Sequence, residues 1–289
     1  MTPQLEQQLK QHSYIFQDGS SLMIGQEKLL AQIDAYISSE TLPRTLLFEG
    51  EWGCGKHTLA QEVGAKLKIE VQDITATLNL ETIEQIMLSP IPRVYVIDAS
   101  RISVKEQNVI LKFLEEPLKN SYIVLLVENK NKLLNTVVNR CVCLSFEQYT
   151  DAELEQFVYE GKYNWCLTST EKYARTPGRI VQFHQHSIEA MLTFIEKIFL
   201  QIGVANYSNI LTIPNKIAFK DESDLYEFNV FIYLLVNKAT DMYAEGKIPY
   251  SAFSLTADFY NDCYIPHINK QHLFEHYLIE LKQLFERGI

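Results

Sequence analysis

Between Thr45 and Phe146 the chain alternates short, nearly unbroken apolar runs with longer stretches whose apolar residues recur every three or four positions. The short runs are Thr45-Leu46-Leu47-Phe48, Arg93-Val94-Tyr95-Val96-Ile97-Asp98, Tyr122-Ile123-Val124-Leu125-Leu126-Val127 and Val142-Cys143-Leu144-Ser145-Phe146. They lack a polar face, which predicts strands buried on both sides. Ile69-Glu70-Val71 reads as a weaker strand. The periodic stretches predict helices running to about Lys68, over Leu80–Met87 and over Val104–Leu114. The last stops at Glu115-Glu116-Pro117, because a residue before proline is pushed out of the helical region. Residues 1–40 read as mostly helical. After a turn at Ile24-Gly25-Gln26, Leu29, Leu30, Ile33, Tyr36 and Ile37 share one helix face. Strands alternating with helices in this way predict an α/β fold with a parallel sheet covered on both faces.

At Asp151 the strand signal ends. Asp151-Ala152-Glu153-Leu154-Glu155-Gln156-Phe157 opens a helix with acidic residues in its first turn. Helical patterning then continues to the end, broken at Thr176-Pro177-Gly178 and Thr212-Ile213-Pro214. Residues 200–289 hold 15 of the 33 aromatics, a density that favours a packed helical domain over a tail. The expected division is 1–148, 149–190 and 195–289, the last all-α.

Composition narrows the function classes. A 289-residue chain exceeds one ordinary core and suggests two or three units. Its net charge is −10 and its pI near 5.3, whereas a chain that grips DNA alone needs a basic footprint to neutralise phosphates. Any nucleic-acid role therefore runs through partners. The cysteines Cys54, Cys141, Cys143, Cys166 and Cys263 form no paired CxxC framework, so a reduced, cytoplasmic protein without disulfides or a zinc knuckle is expected. Cys141-x-Cys143 alternates like a strand and reads as core. There is no apolar stretch of spanning length and no secretory pattern at Met1-Thr2-Pro3-Gln4-Leu5-Glu6.

The densest chemistry is Gly50-Glu51-Trp52-Gly53-Cys54-Gly55-Lys56-His57-Thr58, set between a strand and a helix. That context is what a phosphate-binding loop requires. Its glycines let backbone N–H groups turn onto phosphate oxygens at the positive end of the next helix, and Lys56 adds a point charge. The position after the lysine should carry a hydroxyl for Mg²⁺. Here it is His57, with Thr58 one residue late and about 100° further round the helix. Asp98, closing a buried strand, suits the aspartate that holds Mg²⁺ in such proteins, or else caps the next helix.

Several segments then match one family in order. Ile97-Asp98-Ala99-Ser100-Arg101-Ile102-Ser103 followed by Asn108-Val109-Ile110-Leu111-Lys112-Phe113-Leu114-Glu115-Glu116-Pro117 resembles the clamp-loader branch of the AAA+ ATPases. Ile24-Gly25-Gln26 resembles its adenine-contacting segment, and Leu42-Pro43-Arg44-Thr45-Leu46-Leu47-Phe48 its run into the phosphate loop. Asn129 matches the sensor 1 region, Asn139-Arg140-Cys141 stands where the family has Ser-Arg-Cys, and Thr176-Pro177-Gly178-Arg179 resembles sensor 2. Together these cover about residues 20–185. Within the branch the sequence is most similar to the delta-prime family of bacterial DNA polymerase III subunits, whose phosphate loops are often decayed as at His57. It departs from the motor subunits at His57 and at Ala99, where a water-polarising glutamate is usual, and it lacks the four-cysteine zinc module of many bacterial members.

The resemblance implies a RecA-like nucleotide-binding domain, a helical lid at 149–190 and a C-terminal collar for ring assembly. It implies a nucleotide site of Gly50, Gly53, Cys54, Gly55, Lys56, His57, Thr58, Asp98, Asn129 and Arg179, with ATP or ADP as cofactor and Mg²⁺ through Asp98. Arg140 would be an arginine finger reaching a neighbour's ATP, worth about 10³–10⁵ in rate; otherwise it is a surface arginine in a salt bridge. Arg179 either touches nucleotide or holds the lid. His184 and His186, two apart on a helix, do not form a metal pair. The implied partners are motor and delta-like subunits, the sliding clamp and, through the complex, primer-template DNA. Two function classes stay open: a largely structural clamp-loader subunit, and a self-standing AAA+ ATPase. His57 and Ala99 favour the first.

Overall fold

A computed structural model describes residues 23–88, 91–116, 121–161, 171–184, 188–218, 226–263, 265 and 268–287. The helical reading of residues 1–22, the stop at Pro117, and Cys166 and His186 lie outside the described residues.

The predicted strands form, in chain order, β1 (Thr45–Glu49), β2 (Glu70–Asp73), β3 (Arg93–Asp98), β4 (Tyr122–Val127) and β5 (Val142–Ser145). They make one parallel sheet in the order β2-β3-β4-β1-β5. The weak strand lies slightly later than expected, over Glu70–Asp73. Its neighbours along the chain are α1 (Glu27–Ser38), α2 (Lys56–Leu67), α3 (Leu80–Leu88), α4 (Val104–Glu115) and the single turn α5 (Asn135–Val138).

Side-chain alternation splits the core in two. Leu46, Phe48, Val94, Val96, Val124 and Leu126 point to one face, where Leu29 and Ile33 of α1 and Leu59, Ala60 and Val63 of α2 cover them. Leu47, Tyr95, Ile97, Ile123, Leu125 and Val127 point to the other, under Ile83 of α3, Ile110 and Phe113 of α4 and Val137 of α5. Because both faces are buried, the central strands β3, β4 and β1 need apolar residues at nearly every position, which is why they read as continuous runs. The α4 helix begins with a reciprocal cap, Ser103 accepting from the Glu106 N–H while the Glu106 carboxylate accepts from the Ser103 N–H. A second such box, Thr150 with Glu153, starts α6 (Asp151–Glu160). The short α7 (Pro177–His184) belongs to the same compact unit, which holds the described residues to Gly161 and Ala174–His184.

The second unit holds Glu171–Tyr173 and the described residues from Ile188 onward. It is helical: α8 (Ile188–Gln201), α9 (Tyr207–Ile210), α10 (Phe228–Ala244), α11 (Tyr250–Asp262) and α12 (Lys270–Glu286). One minimal ladder, β6 (Ile217–Ala218) with β7 (Tyr226–Glu227), interrupts them. Phe231, Phe259, Phe274 and Tyr277 fill its core, the Phe259 and Tyr277 rings stacked with centroids 4.5 Å apart. The buried Tyr277 hydroxyl is paired with Thr256 Oγ1 at 2.9 Å. Among the described residues no helix is long and apolar enough to cross a membrane.

Candidate nucleotide site and the Arg140 corner

The phosphate loop leaves β1 at Glu49 and enters α2 at Lys56. Gly53 and Gly55 both have positive φ, 79° and 101°, and Gly55 is the N-cap of α2. A side chain would be strained at either position. Lys56 lines the cleft beside the loop. Its ammonium donates to the carbonyls of Gly50 at 2.6 Å and Glu51 at 2.7 Å, so it satisfies its own loop. Gly50 packs close to Cys54, a buried cysteine whose thiol burial raises to about 11 against the pull of Lys56. That thiol is no nucleophile near neutral pH.

The cleft beside the loop is lined by Trp52, Lys56, His57, Thr58, Asp98 and Arg101, with Glu128 on its wall. It offers about 100 Å³, well under the roughly 300–1,000 Å³ of small-molecule pockets, so it is closer to the scale of a phosphate group than of a whole nucleotide. His57 is turned toward the end of β2, Nε2 lying 3.9 Å from Asp73 Oδ2. Asp98 accepts three hydrogen bonds from its own chain. Oδ1 accepts from the Ser100 N–H at 3.2 Å and hydroxyl at 2.6 Å, and Oδ2 accepts from Arg101 Nε at 2.8 Å. The residue that follows, Ala99, is buried and carries no group to orient water.

The structure brings Lys56, His57, Thr58 and Asp98 together but not Asn129 or Arg179. Asn129 caps a short 3-10 turn, its side-chain oxygen accepting from the Asn131 N–H at 2.9 Å. The neighbouring Glu128, one residue past the end of β4, faces the cleft instead. Glu128 carries no motif of its own in the sequence, and for Arg101 the available signal is an aspartate followed three residues later by an arginine. Arg179 is buried, 6% exposed, with its guanidinium over the Trp52 ring at 4.5 Å and one Nη donating to Gln182 at 2.8 Å.

The same helix start is fastened to the loop by backbone. The Gly178 N–H donates to the Gly53 carbonyl at 2.9 Å and Thr176 Oγ1 donates to the Trp52 carbonyl at 2.9 Å. A Cβ on Gly53 would lie 2.8 Å from the Gly178 Cα, so the two glycines touch directly. From below, the Tyr149 hydroxyl donates to the Cys54 carbonyl at 2.8 Å, and burial raises that phenol's pKa.

Arg140 lies elsewhere, after α5 and before β5. Its backbone is pinned, its carbonyl accepting from Thr45 Oγ1 at 2.5 Å and its N–H donating to the Val137 carbonyl at 3.1 Å. Its guanidinium, one-third exposed, donates to the Thr136 carbonyl at 2.6 Å and pairs with the Glu115 carboxylate of α4. Glu49 ties the opposite side of β5 to the β4 exit. It accepts from the backbone and side chain of Lys130, each at 3.0 Å, and from Ser145 at 3.1 Å. Burial alone would raise the Glu49 carboxyl, but these donors hold it below its usual value. Among the described residues no cluster of three or more His, Cys, Asp or Glu side chains could hold a metal, and burial pushes Cys141 up to about 12.

Residues 64–150 match the family described as DNA polymerase III, delta subunit. Over 69 residues the chain is 35% identical to DNA polymerase III subunit delta' of Bacillus subtilis (strain 168), a stretch that is 24% of this chain and about a fifth (21%) of that relative. In fold it is similar to the RuvB Holliday junction branch migration motor of Thermotoga maritima, with a TM-score of 0.50 at 18% identity over 93% of this chain and 90% of that one. Over part of its length the chain is thus similar to the delta family and to a delta' subunit of DNA polymerase III, on a parallel sheet with a phosphate loop between β1 and α2.

Proposed function

We propose that the chain is a delta-prime-like subunit of a clamp loader, a largely structural ring member that helps load a sliding clamp onto primed DNA. In this reading 1–148 is the nucleotide-binding-like domain, 149–190 the lid and 195–289 the collar through which it assembles with motor and delta-like subunits in the cytoplasm. Its catalytic contribution is Arg140, offered to the ATP of a neighbouring motor subunit. ATP or ADP binds its own loop without turnover.

One observation supports this reading most: the groups that would cut ATP are already spent within the chain. Lys56 is bonded to Gly50 and Glu51, Asp98 to Ser100 and Arg101, and no carboxylate follows Asp98. Positioning and charge stabilisation supply most of phosphoryl-transfer catalysis, so a loop in this state keeps the fold without the chemistry. The acidic net charge also fits a subunit that meets DNA only through its complex. The test is co-purification with candidate motor and delta-like subunits, with the mass of the complex and the ATPase of the isolated chain measured together. A defined hetero-oligomer containing an inactive copy of this chain is expected. A monomer that turns over ATP at the rate of an active motor would refute the proposal in favour of the self-standing ATPase.

A further inference from the structure

We propose that Arg101 stands in for the divalent cation in this cleft, so that the loop binds phosphate oxyanions without Mg²⁺. This deepens the nucleotide-loop part of the proposed function and rests on it. A phosphate loop of this fold implies Mg²⁺, and the donor set here does not fit the ion. A hard cation needs a hydroxyl beside the lysine and an open carboxylate oxygen. His57 supplies an imidazole where the hydroxyl belongs, and it faces Asp73. Thr58 reaches the cleft wall but from the next position round the helix. Asp98 has three donors on its two oxygens, and the one on Oδ2 is the Arg101 guanidinium at 2.8 Å. Mg²⁺ on that oxygen would sit beside the guanidinium cation already paired with it.

Arg101 can do what the ion would do for phosphate. It lines the same cleft as Lys56, and it meets Asp98 through Nε. A guanidinium presents five N–H donors in a planar fork, so its Nη groups remain to face an oxyanion across from the Lys56 ammonium and the loop amides. The charges on the wall balance at two cations, Lys56 and Arg101, against two anions, Asp98 and Glu128, with His57 beside them. Removing Arg101 leaves the anions in excess and re-creates the need for a divalent ion.

ADP titrated calorimetrically into the full chain, once with excess Mg²⁺ and once with EDTA, tests this. The wild-type affinity should agree within about twofold between the two conditions. Arg101→Ser should bind at least about tenfold more weakly in EDTA, the scale of a charged hydrogen bond, and should recover when Mg²⁺ is added. The Arg101 side chain is 61% exposed, so the variant should fold, and circular dichroism verifies it. Wild-type binding that Mg²⁺ strengthens tenfold or more overturns the proposal. So does an Arg101→Ser affinity equal to wild type in EDTA, or no ADP binding under either condition. Failure of the ring reading would show separately, as loss of co-assembly, which this titration does not measure.

Discussion

Two cations in the α/β unit invite comparison, Lys56 at the phosphate loop and Arg140 at the start of β5. Both are held by their own chain, but by different means. Lys56 bonds neutral carbonyls five and six residues away, inside the loop it belongs to. Arg140 pairs with a carboxylate 25 residues away on α4, through a head that is one-third exposed. The first arrangement closes a site on itself. The second fixes a backbone and leaves a charged fork at the surface, where an exchange of one anionic partner for another costs little, because an exposed ion pair contributes at most about 1 kcal/mol. The difference separates a loop bonded to itself from a side chain whose anionic partner could be exchanged.

The sharpest way to break that contrast is Arg140→Ala in an assembled complex. Clamp- and DNA-stimulated ATPase of the neighbouring motor should fall by about 10³ or more, the worth of an arginine finger, while the variant's own stability changes by no more than about 1 kcal/mol. Arg140→Lys should not restore the rate, since an ammonium cannot reproduce the planar fork. Wild-type stimulated activity in a complex shown to contain Arg140→Ala would leave Arg140 as an ordinary salt-bridge residue.

Next in size is the closure of the loop. Gly53 sits at φ 79° against Gly178, so Gly53→Ala adds a methyl where backbone already stands. Left-handed strain of about 1–2 kcal/mol plus overpacking of about 1–3 kcal/mol should lower the unfolding free energy by about 2–5 kcal/mol in urea. An unchanged midpoint would mean the α7 start is not fastened to the loop.

A smaller effect is expected at Glu49, which anchors the segment between the two cations. Its folded pKa is depressed, so its contribution is complete above the unfolded carboxylate value of about 4.3 and is lost as pH falls through the lower folded value. Glu49→Gln should cost about 1–2 kcal/mol at pH 7 and flatten the acid limb of the stability profile below about pH 4. A variant whose acid limb matches wild type would show that the Lys130 and Ser145 contacts contribute nothing.

What the sequence made legible follows the same division between local and distant contacts. The three central strands could be read because burial on both faces demands nearly continuous apolar residues, and the loop because its glycines and lysine are constrained within nine residues. The place of Arg140 was legible as a motif. The Asp98–Arg101 pair was not, since an arginine three residues on can equally face solvent. Which of Glu128 and Asn129 turns inward was not legible, because the exit of β4 determines it and apolar patterning ends at Val127. The Gly53–Gly178 contact joins positions 125 apart, which no local signal reports. For the helical second unit only helicity and aromatic density could be read, since packing a core constrains polarity far more than identity.

The smallest effect expected is none at all, and it tests the closed loop directly. The purified chain should hydrolyse ATP no faster than its Lys56→Ala variant. Lys56 is engaged by carbonyls, Asp98 by Arg101, and Ala99 offers no group to align a water, so there is little catalysis for the substitution to remove. Catalytic positioning in phosphoryl transfer comes from several groups acting together, and losing the rest leaves the lysine with binding at most. The measurement is phosphate release from scrupulously repurified wild type and variant at saturating ATP with Mg²⁺. Equal traces would show that the loop contributes no turnover of its own, whereas a wild-type rate well above the variant's would mean that the loop opens and works, with Glu128 on the cleft wall the carboxylate to substitute next.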